Sequence, residues 1–290
     1  MLSYFQAIVL GLVQGIAEPF PISSLGHGVV LPRAVGWNIH QNDKFFLTFL
    51  VATHFATALV LLYYFRKDWA RIVRGLLRSL AQREIRADDT DAKLGWLLVI
   101  GSIPAGVLGL ILEHPLRSVF ASAATAAAFL ILNGFMLLGA EALRRRRAAA
   151  TAAAEAAADP DARLAHLTWR QSFAIGTSQA IALIPGMSRS GATMGGGLLV
   201  GLNNEDAARF SFLLATPIIT AAAVLKLPEL FGSAGDHIRG QALVGGLCAG
   251  LTTIIAVPLL LKFFRTNSLK PFGLYCIALG TVLTIGFAVS

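Results

Sequence analysis

The stretch AEPFPISSLGH, Ala17 to His27, sets a carboxylate (Glu18), two hydroxyls (Ser23, Ser24) and an imidazole (His27) inside otherwise apolar sequence. A second stretch, PGMSRSGAT from Pro185 to Thr193, holds Arg189 flanked by Ser188 and Ser190, with Thr193 four residues on. An arginine between serines at a helix start is a phosphate-binding arrangement: a planar fork, hydroxyls and backbone N–H groups together. A carboxylate, a hydroxyl and an imidazole facing it are the parts needed to attack that phosphate. Glu18, Ser24 and His27 are therefore the catalytic candidates, and Arg189, Ser188, Ser190, Thr193 and Ser23 the phosphate-binding ones.

The elements that must position these groups lie in a membrane. With 56% hydrophobic residues, 14% charged and a mean hydropathy of +0.68, the chain is incompatible with an ordinary soluble domain of its length. Apolar runs long enough for a ~30 Å hydrocarbon core recur at residues 44–65, 95–113, 119–143, 207–226, 241–263 and 271–289. Two further apolar stretches, 2–31 and 170–201, are broken by Pro19 and Pro21 and by Pro185-Gly186. Proline removes a donor and clashes with the preceding turn, so each reads as two half-helices. Irregular backbone at membrane depth survives only in protein or beside a wet cavity, so both read as re-entrant hairpins. The expected fold is all-α, with six transmembrane helices and two re-entrant helical hairpins.

Seventeen of the 24 Lys and Arg residues fall on one side of this topology, in 66–94, 144–170 and 262–270, and five on the other. Positive charge marks the cytoplasmic side, which puts the loops 66–94 and 144–169 inside, both termini outside, and the site opening to the outer face. The net charge of +8 then belongs to the inner leaflet, and no nucleic-acid partner is expected. The Ala- and Arg-rich linker 144–169 has no apolar face and reads as a frayed surface helix. It separates residues 1–143 from 170–290, and these halves repeat. At an offset of 165, Gly11, Gln14, Ser23 and Gly26 meet Gly176, Gln179, Ser188 and Gly191; at 163, FLVAT (Phe49 to Thr53) meets FLLAT (Phe212 to Thr216). Three spans per half is an odd number, so the second half enters from the opposite face and the repeats are inverted. Such folds set their site where two broken segments meet near the midplane.

Other features carry blander readings. His54, alone in the span 44–65, reads as satisfied by a backbone carbonyl. Cys248 and Cys276 lie in separate spans without metal-type spacing and read as small core residues. The run Gly195-Gly196-Gly197 lacks the Lys-Ser/Thr pair of a phosphate loop and reads as a helix-packing surface.

GLVQGIAEPFPISSLGH, QAIALIPGMSRSGAT and ARFSFLLATP (Ala208 to Pro217) resemble, in order and spacing, the signatures of the bacterial undecaprenyl-diphosphate phosphatase family of the bacitracin-resistance type. The resemblance covers nearly the whole chain. It implies an enzyme of the bacterial inner membrane that removes one phosphate from a polyprenyl diphosphate, recycling the lipid carrier of cell-envelope synthesis, with a divalent cation, Mg²⁺ or Ca²⁺, assisting. Carried over, the family's glutamate falls on Glu18, its serine pair on Ser23 and Ser24, its histidine on His27 and its arginine on Arg189. Gln14 sits where some members have a second acid, so Glu18, with Gln14 as a weak second ligand, is the metal candidate. Leu25, Ala17 and Pro19 depart from the residues usual in the family and bear on lipid preference.

The expected mechanism has Arg189 holding the terminal phosphoryl group while Ser24 attacks with His27 as base and Glu18 either ligates the Mg²⁺ or Ca²⁺ or accepts a proton; attack by His27 itself or by water stays open. Membrane lipids and the polyprenyl diphosphate are the expected partners, and the oligomeric state is open, a homodimer included. The alternative is a transporter or flippase of a lipid phosphate or another anion, since inverted repeats with a midplane site also build transporters. Anion binding alone, however, needs neither a base nor a carboxylate that repels the ligand.

Overall fold

The computed structural model describes residues 2–39, 44–117, 122–148, 160–232 and 238–289. Among them the chain forms twelve α-helices and no strand. In order these are α1 (Tyr4–Ala17), α2 (Ser24–Ala34), α3 (Lys44–Tyr64), α4 (Arg66–Gln82), α5 (Thr90–Arg117), α6 (Ala123–Ala148), α7 (Pro160–Ala165), α8 (Trp169–Gln179), α9 (Arg189–Leu199), α10 (Asn204–Lys226), α11 (Arg239–Phe264) and α12 (Lys270–Val289). Six of them, α3, α5, α6, α10, α11 and α12, are long and apolar enough to cross a membrane, and they coincide with the six expected spans.

The helix α10 is the most enclosed of the six and α12 the least. Phe210, Phe212, Leu213 and Leu214 of α10 are fully buried against Leu97 of α5, Met194 of α9 and Val257 of α11. The outer face of α11 exposes Leu243, Leu247, Leu251 and Ile255, a stripe at helical spacing that faces lipid.

Lipid is as apolar as leucine, so these helices associate through close packing of small residues. A Cβ on Gly11 of α1 would overlap the Gly245 carbonyl of α11, and one on Gly176 of α8 would overlap the Gly101 carbonyl of α5. Each of these glycines lets a short helix lie backbone to backbone against a long one.

The short helices α1, α2, α8 and α9 hold 14, 11, 11 and 11 residues. At 1.5 Å per residue they reach only about 17–21 Å, too little for the hydrocarbon core. Their ends are specified locally. Ser3 with Gln6 and Thr168 with Gln171 close reciprocal capping boxes at the starts of α1 and α8. Ser23 and Ser188 cap α2 and α9, accepting from the N–H groups of Gly26 at 3.1 Å and Gly191 at 3.0 Å.

Two polar segments are more ordered than their composition suggests. Within 66–94, α4 is an amphipathic helix. It buries Ile72 and Ser79 and exposes Val73, Leu77 and Leu80; Arg78 grips Asp89 with two hydrogen bonds of 2.8 and 2.7 Å. The end of the linker departs from the frayed helix expected. Leu164 of α7 is fully buried, and Arg163 donates to both oxygens of buried Asp206 at 2.6 and 2.8 Å. Residues 149–159 of the linker lie outside the described residues.

Candidate active site

The helix α1 ends at Ala17, and Glu18 is its C-cap. The chain then turns through Pro19 to Ile22 and restarts as α2 with Ser23 as N-cap and Ser24 as first residue. In the other half of the chain α8 passes through a 3₁₀ turn, Ala180–Leu183, and restarts as α9 with Ser188 as N-cap and Arg189 as first residue. Ser24 and Arg189 thus occupy the same position on two helix starts, and both reach the same carboxylate. The Ser24 hydroxyl donates to Glu18 Oε2 at 2.5 Å, and Arg189 Nη2 donates to Glu18 Oε1 at 2.7 Å.

Two further groups converge on Glu18 Oε2. Gln14, one turn earlier on α1, donates from Nε2 at 3.1 Å. His54 Nε2, from α3, stands 3.2 Å away, and also 3.4 Å from Ser24 Oγ. The carboxylate is 5% exposed, whereas the His54 and Arg189 side chains keep 23% and 15% exposure, so the centre is approached past those two. Arg189 Nη1 is buried with no hydrogen-bond partner among the described residues. Nη2 of the guanidinium therefore holds Glu18 while Nη1 holds nothing among the described residues.

The turns are tied to each other directly. Ser23 Oγ donates to the Met187 carbonyl at 3.1 Å, and Ser190 Oγ donates to the Phe20 carbonyl at 2.9 Å. Fully buried Asn133 on α6 donates to the Pro21 carbonyl at 3.0 Å and to Cys276 Sγ at 3.3 Å, and its Oδ1 accepts from Ser188 N–H at 3.0 Å. Ser23 holds φ +69, a left-handed conformation that costs a non-glycine residue about 1 kcal/mol or more. Its hydroxyl accepts from Gly26 N–H and donates to Met187, and these two bonds hold the backbone there.

Glu18, Ser24, Arg189 and Gln14 are therefore brought into one hydrogen-bonded group. The remaining sequence candidates are placed otherwise. His27 sits one turn along α2 from Ser24, but its Nδ1–H folds back onto the Ser23 carbonyl at 2.8 Å, and Nε2 meets the Tyr275 hydroxyl of α12 at 2.8 Å. The ring stacks on Tyr275 and does not address Ser24. Ser23, Ser188 and Ser190 spend their hydroxyl protons on the turns, and Thr193 donates to the Arg189 carbonyl at 2.7 Å, within its own helix. His54 and Asn133 were not among the sequence candidates. His54 does bond a backbone carbonyl, that of Leu50 at 2.7 Å, as its reading required; its other nitrogen supplies what that reading left out.

A family model described as Bacitracin resistance protein BacA matches residues 7–282. The chain belongs to the BacA family. Undecaprenyl-diphosphatase 2 of Frankia alni is 42% identical over 100% of this chain and 99% of its own length. Undecaprenyl-diphosphatase of Mycolicibacterium paratuberculosis is 45% identical over 96% and 95%, and Undecaprenyl-diphosphatase 2 of Chromobacterium violaceum is 41% identical over 96% of each. The BacA match takes in both turns of the broken segments, five of the long helices and α12 as far as residue 282.

Among the described residues no group of three or more His, Cys, Asp or Glu side chains is arranged to hold a metal. The donor set in this BacA chain is one carboxylate, Glu18, with the Gln14 amide beside it. That does not make a cage for a resident ion, but it fits an ion of the Mg²⁺ type, which binds through one or two carboxylates and the substrate's own phosphate oxygens.

Proposed function

We propose that the chain is an integral membrane phosphatase that hydrolyses undecaprenyl diphosphate to the monophosphate and inorganic phosphate, returning the lipid carrier to cell-envelope synthesis. The observation that carries this is the shared carboxylate: Glu18 accepts from the Ser24 hydroxyl on one oxygen and from the Arg189 guanidinium on the other. A hydroxyl with a proton acceptor at 2.5 Å and a half-free guanidinium alongside are the nucleophile, base and oxyanion holder of phosphoryl transfer. A carrier that only bound and released a lipid phosphate would gain nothing from a carboxylate beside the arginine. The relatives' names favour the enzyme as well.

In the mechanism, Arg189 Nη1 and the N–H groups at the starts of α2 and α9 receive the terminal phosphoryl group. Ser24 Oγ attacks phosphorus and its proton passes to Glu18 Oε2. The bond from phosphorus to the bridging oxygen breaks, and polyprenyl monophosphate leaves with that oxygen. Glu18 gives that proton to the departing monophosphate; water then attacks the phosphoserine and yields a proton to Glu18, which returns it to Ser24 Oγ as the Oγ–phosphorus bond breaks and phosphate departs. A divalent cation entering with the diphosphate would be held by Glu18, with Gln14 beside it, and would neutralise charge on the phosphates. Glu18 serves as base here because the His27 nitrogens are engaged elsewhere; His27 instead fixes the Ser23 carbonyl and the start of α2.

The same reading makes α1–α2 and α8–α9 re-entrant hairpins of an inverted repeat, residues 1–143 and 170–290. Support comes from helices too short to cross, matched serine caps, and paired glycines doing the same packing work. The positive-inside count supports termini on the outer face and a site open to it. The test is phosphate release from undecaprenyl diphosphate by purified protein in detergent, with and without chelator. Ser24→Ala and Arg189→Ala should each lower kcat at least about a hundredfold while the protein stays folded; normal turnover in Arg189→Ala would overturn the scheme. Loss of activity in chelator is expected if the cation rides on the substrate, and chelator-insensitive turnover would remove it from the mechanism.

A further inference from the structure

His54 belongs to neither broken segment. It lies on α3, and at the offset of 163 that relates Phe49–Thr53 to Phe212–Thr216 its counterpart in the second half is Pro217, which has no side chain able to play the same part. The Leu50 carbonyl can only accept, so the 2.7 Å bond puts a proton on His54 Nδ1 and fixes the ring along the helix. That leaves Nε2 aimed across the site, 3.2 Å from Glu18 Oε2 and 3.4 Å from Ser24 Oγ.

The carboxylate needs such a partner. An arginine beside a carboxylate tends to take both oxygens in a bidentate fork, yet here Arg189 holds Oε1 and leaves Oε2 on Ser24. Gln14 also reaches Oε2, but from the helix that carries Glu18, so it moves with the group it touches. His54 approaches from a separate transmembrane helix and is anchored to that helix's backbone. We infer that His54 is a positioning residue of the reaction: as an imidazolium, with Nδ1–H on the Leu50 carbonyl and Nε2–H on Glu18, it holds Oε2 against the Ser24 hydroxyl, so that the carboxylate is aligned to take the proton when Ser24 attacks. The inference rests on the phosphatase reading.

The test replaces His54 by two residues of similar volume, only one of which can donate. In His54→Gln the amide N–H can take the place of Nε2; in His54→Met it cannot. Initial rates of phosphate release from undecaprenyl diphosphate are measured over a range of substrate, with Ser24→Ala as the inactive reference and thermal unfolding in detergent as the folding control. His54→Met should lower kcat about a hundredfold with KM within about threefold, and His54→Gln should return kcat to within about tenfold of wild type. Because both variants fill the site, the contrast holds even where His54→Ala fails to fold. The inference is overturned if His54→Met turns over like wild type, if the two variants lose equally, or if the loss is confined to KM. Should the wild type release no more phosphate than a blank without protein, the phosphatase reading itself falls and this inference with it.

Discussion

The two helix starts that meet at Glu18 share a frame and differ in the side chains they carry. Each has a serine N-cap bonded to a glycine N–H three residues on, each sends a side-chain hydrogen bond to a carbonyl in the other's turn, and each presents its first helical residue to the site. The contents differ. At equivalent positions the first segment has Glu18, Ser24 and His27 where the second has Leu183, Arg189 and Ala192. Gln14 bonds Glu18, while the amide of Gln179 meets no partner among the described residues. The backbone differs too. In the second turn Gly186 takes the positive φ, +94, and the cap Ser188 is relaxed at φ −91; in the first turn the cap itself, Ser23, takes φ +69. On the function proposed above, the relaxed turn supplies a cation and the strained one a nucleophile and its base.

The division can be broken most severely at Glu18, by giving the first segment the residue of the second. Glu18→Leu should abolish phosphate release and leave Arg189 as a buried cation without its carboxylate, a loss of roughly 3–5 kcal/mol. The double variant Glu18→Leu/Arg189→Leu should recover most of that stability with no recovery of turnover, because an apolar pair packs without unpaired charge. Thermal unfolding in detergent beside a phosphate-release assay reads both quantities. Substantial turnover in Glu18→Leu would show that the carboxylate is structural and that the base lies elsewhere.

A smaller effect is expected where the two segments are held in register. Asn133→Ala removes a side chain from outside both segments that bonds each turn, leaving the Ser188 N–H and the Pro21 carbonyl buried without it, at about 1–3 kcal/mol. Turnover should fall about tenfold through kcat, as Arg189 and Ser24 drift by tenths of an ångström relative to each other. Unchanged kcat with lowered stability would mean that the crossed bonds of Ser23 and Ser190 suffice to align the segments.

Most of this arrangement was legible in the residues. The six spans follow from runs of apolar sequence that no other medium tolerates, and the breaks in the short helices follow from Pro19, Pro21 and Pro185. The convergence of Glu18, Ser24 and Arg189 followed from chemistry, since charged groups at membrane depth need partners. What stayed hidden has physical reasons. His54 satisfies a carbonyl one turn back, as an unremarkable membrane histidine does, and only three-dimensional packing reveals where its second nitrogen points. Asn133 stands alone among apolar residues between Thr125 and Glu141 of α6, with partners 112 and 55 residues away. The turning of His27 toward Tyr275 depends on α12, which carries no motif. Arg163 of the linker finds Asp206 across the fold, which composition cannot foretell.

The smallest expected effect lies at Leu25, immediately after Ser24. Its counterpart in the second segment is Ser190, whose hydroxyl bonds the opposite turn. Leu25 instead packs, half-buried, between the cluster of Phe46, Phe49 and Leu50 and the cluster of Val29, Val30 and Leu130. Leu25→Ser would give the first segment the residue type of the second. Losing a partly buried leucine costs on the order of 1–2 kcal/mol, and a new hydroxyl bond to the opposite turn offsets part of it. Ser24 and Glu18 are untouched, so kcat on undecaprenyl diphosphate should stay within about threefold. What should move is the ratio of kcat/KM between a long and a short prenyl diphosphate, because the side chain beside the nucleophile supplies apolar surface next to the reacting end. A ratio unchanged in Leu25→Ser would assign lipid preference to residues away from the helix start and leave Leu25 a packing residue alone.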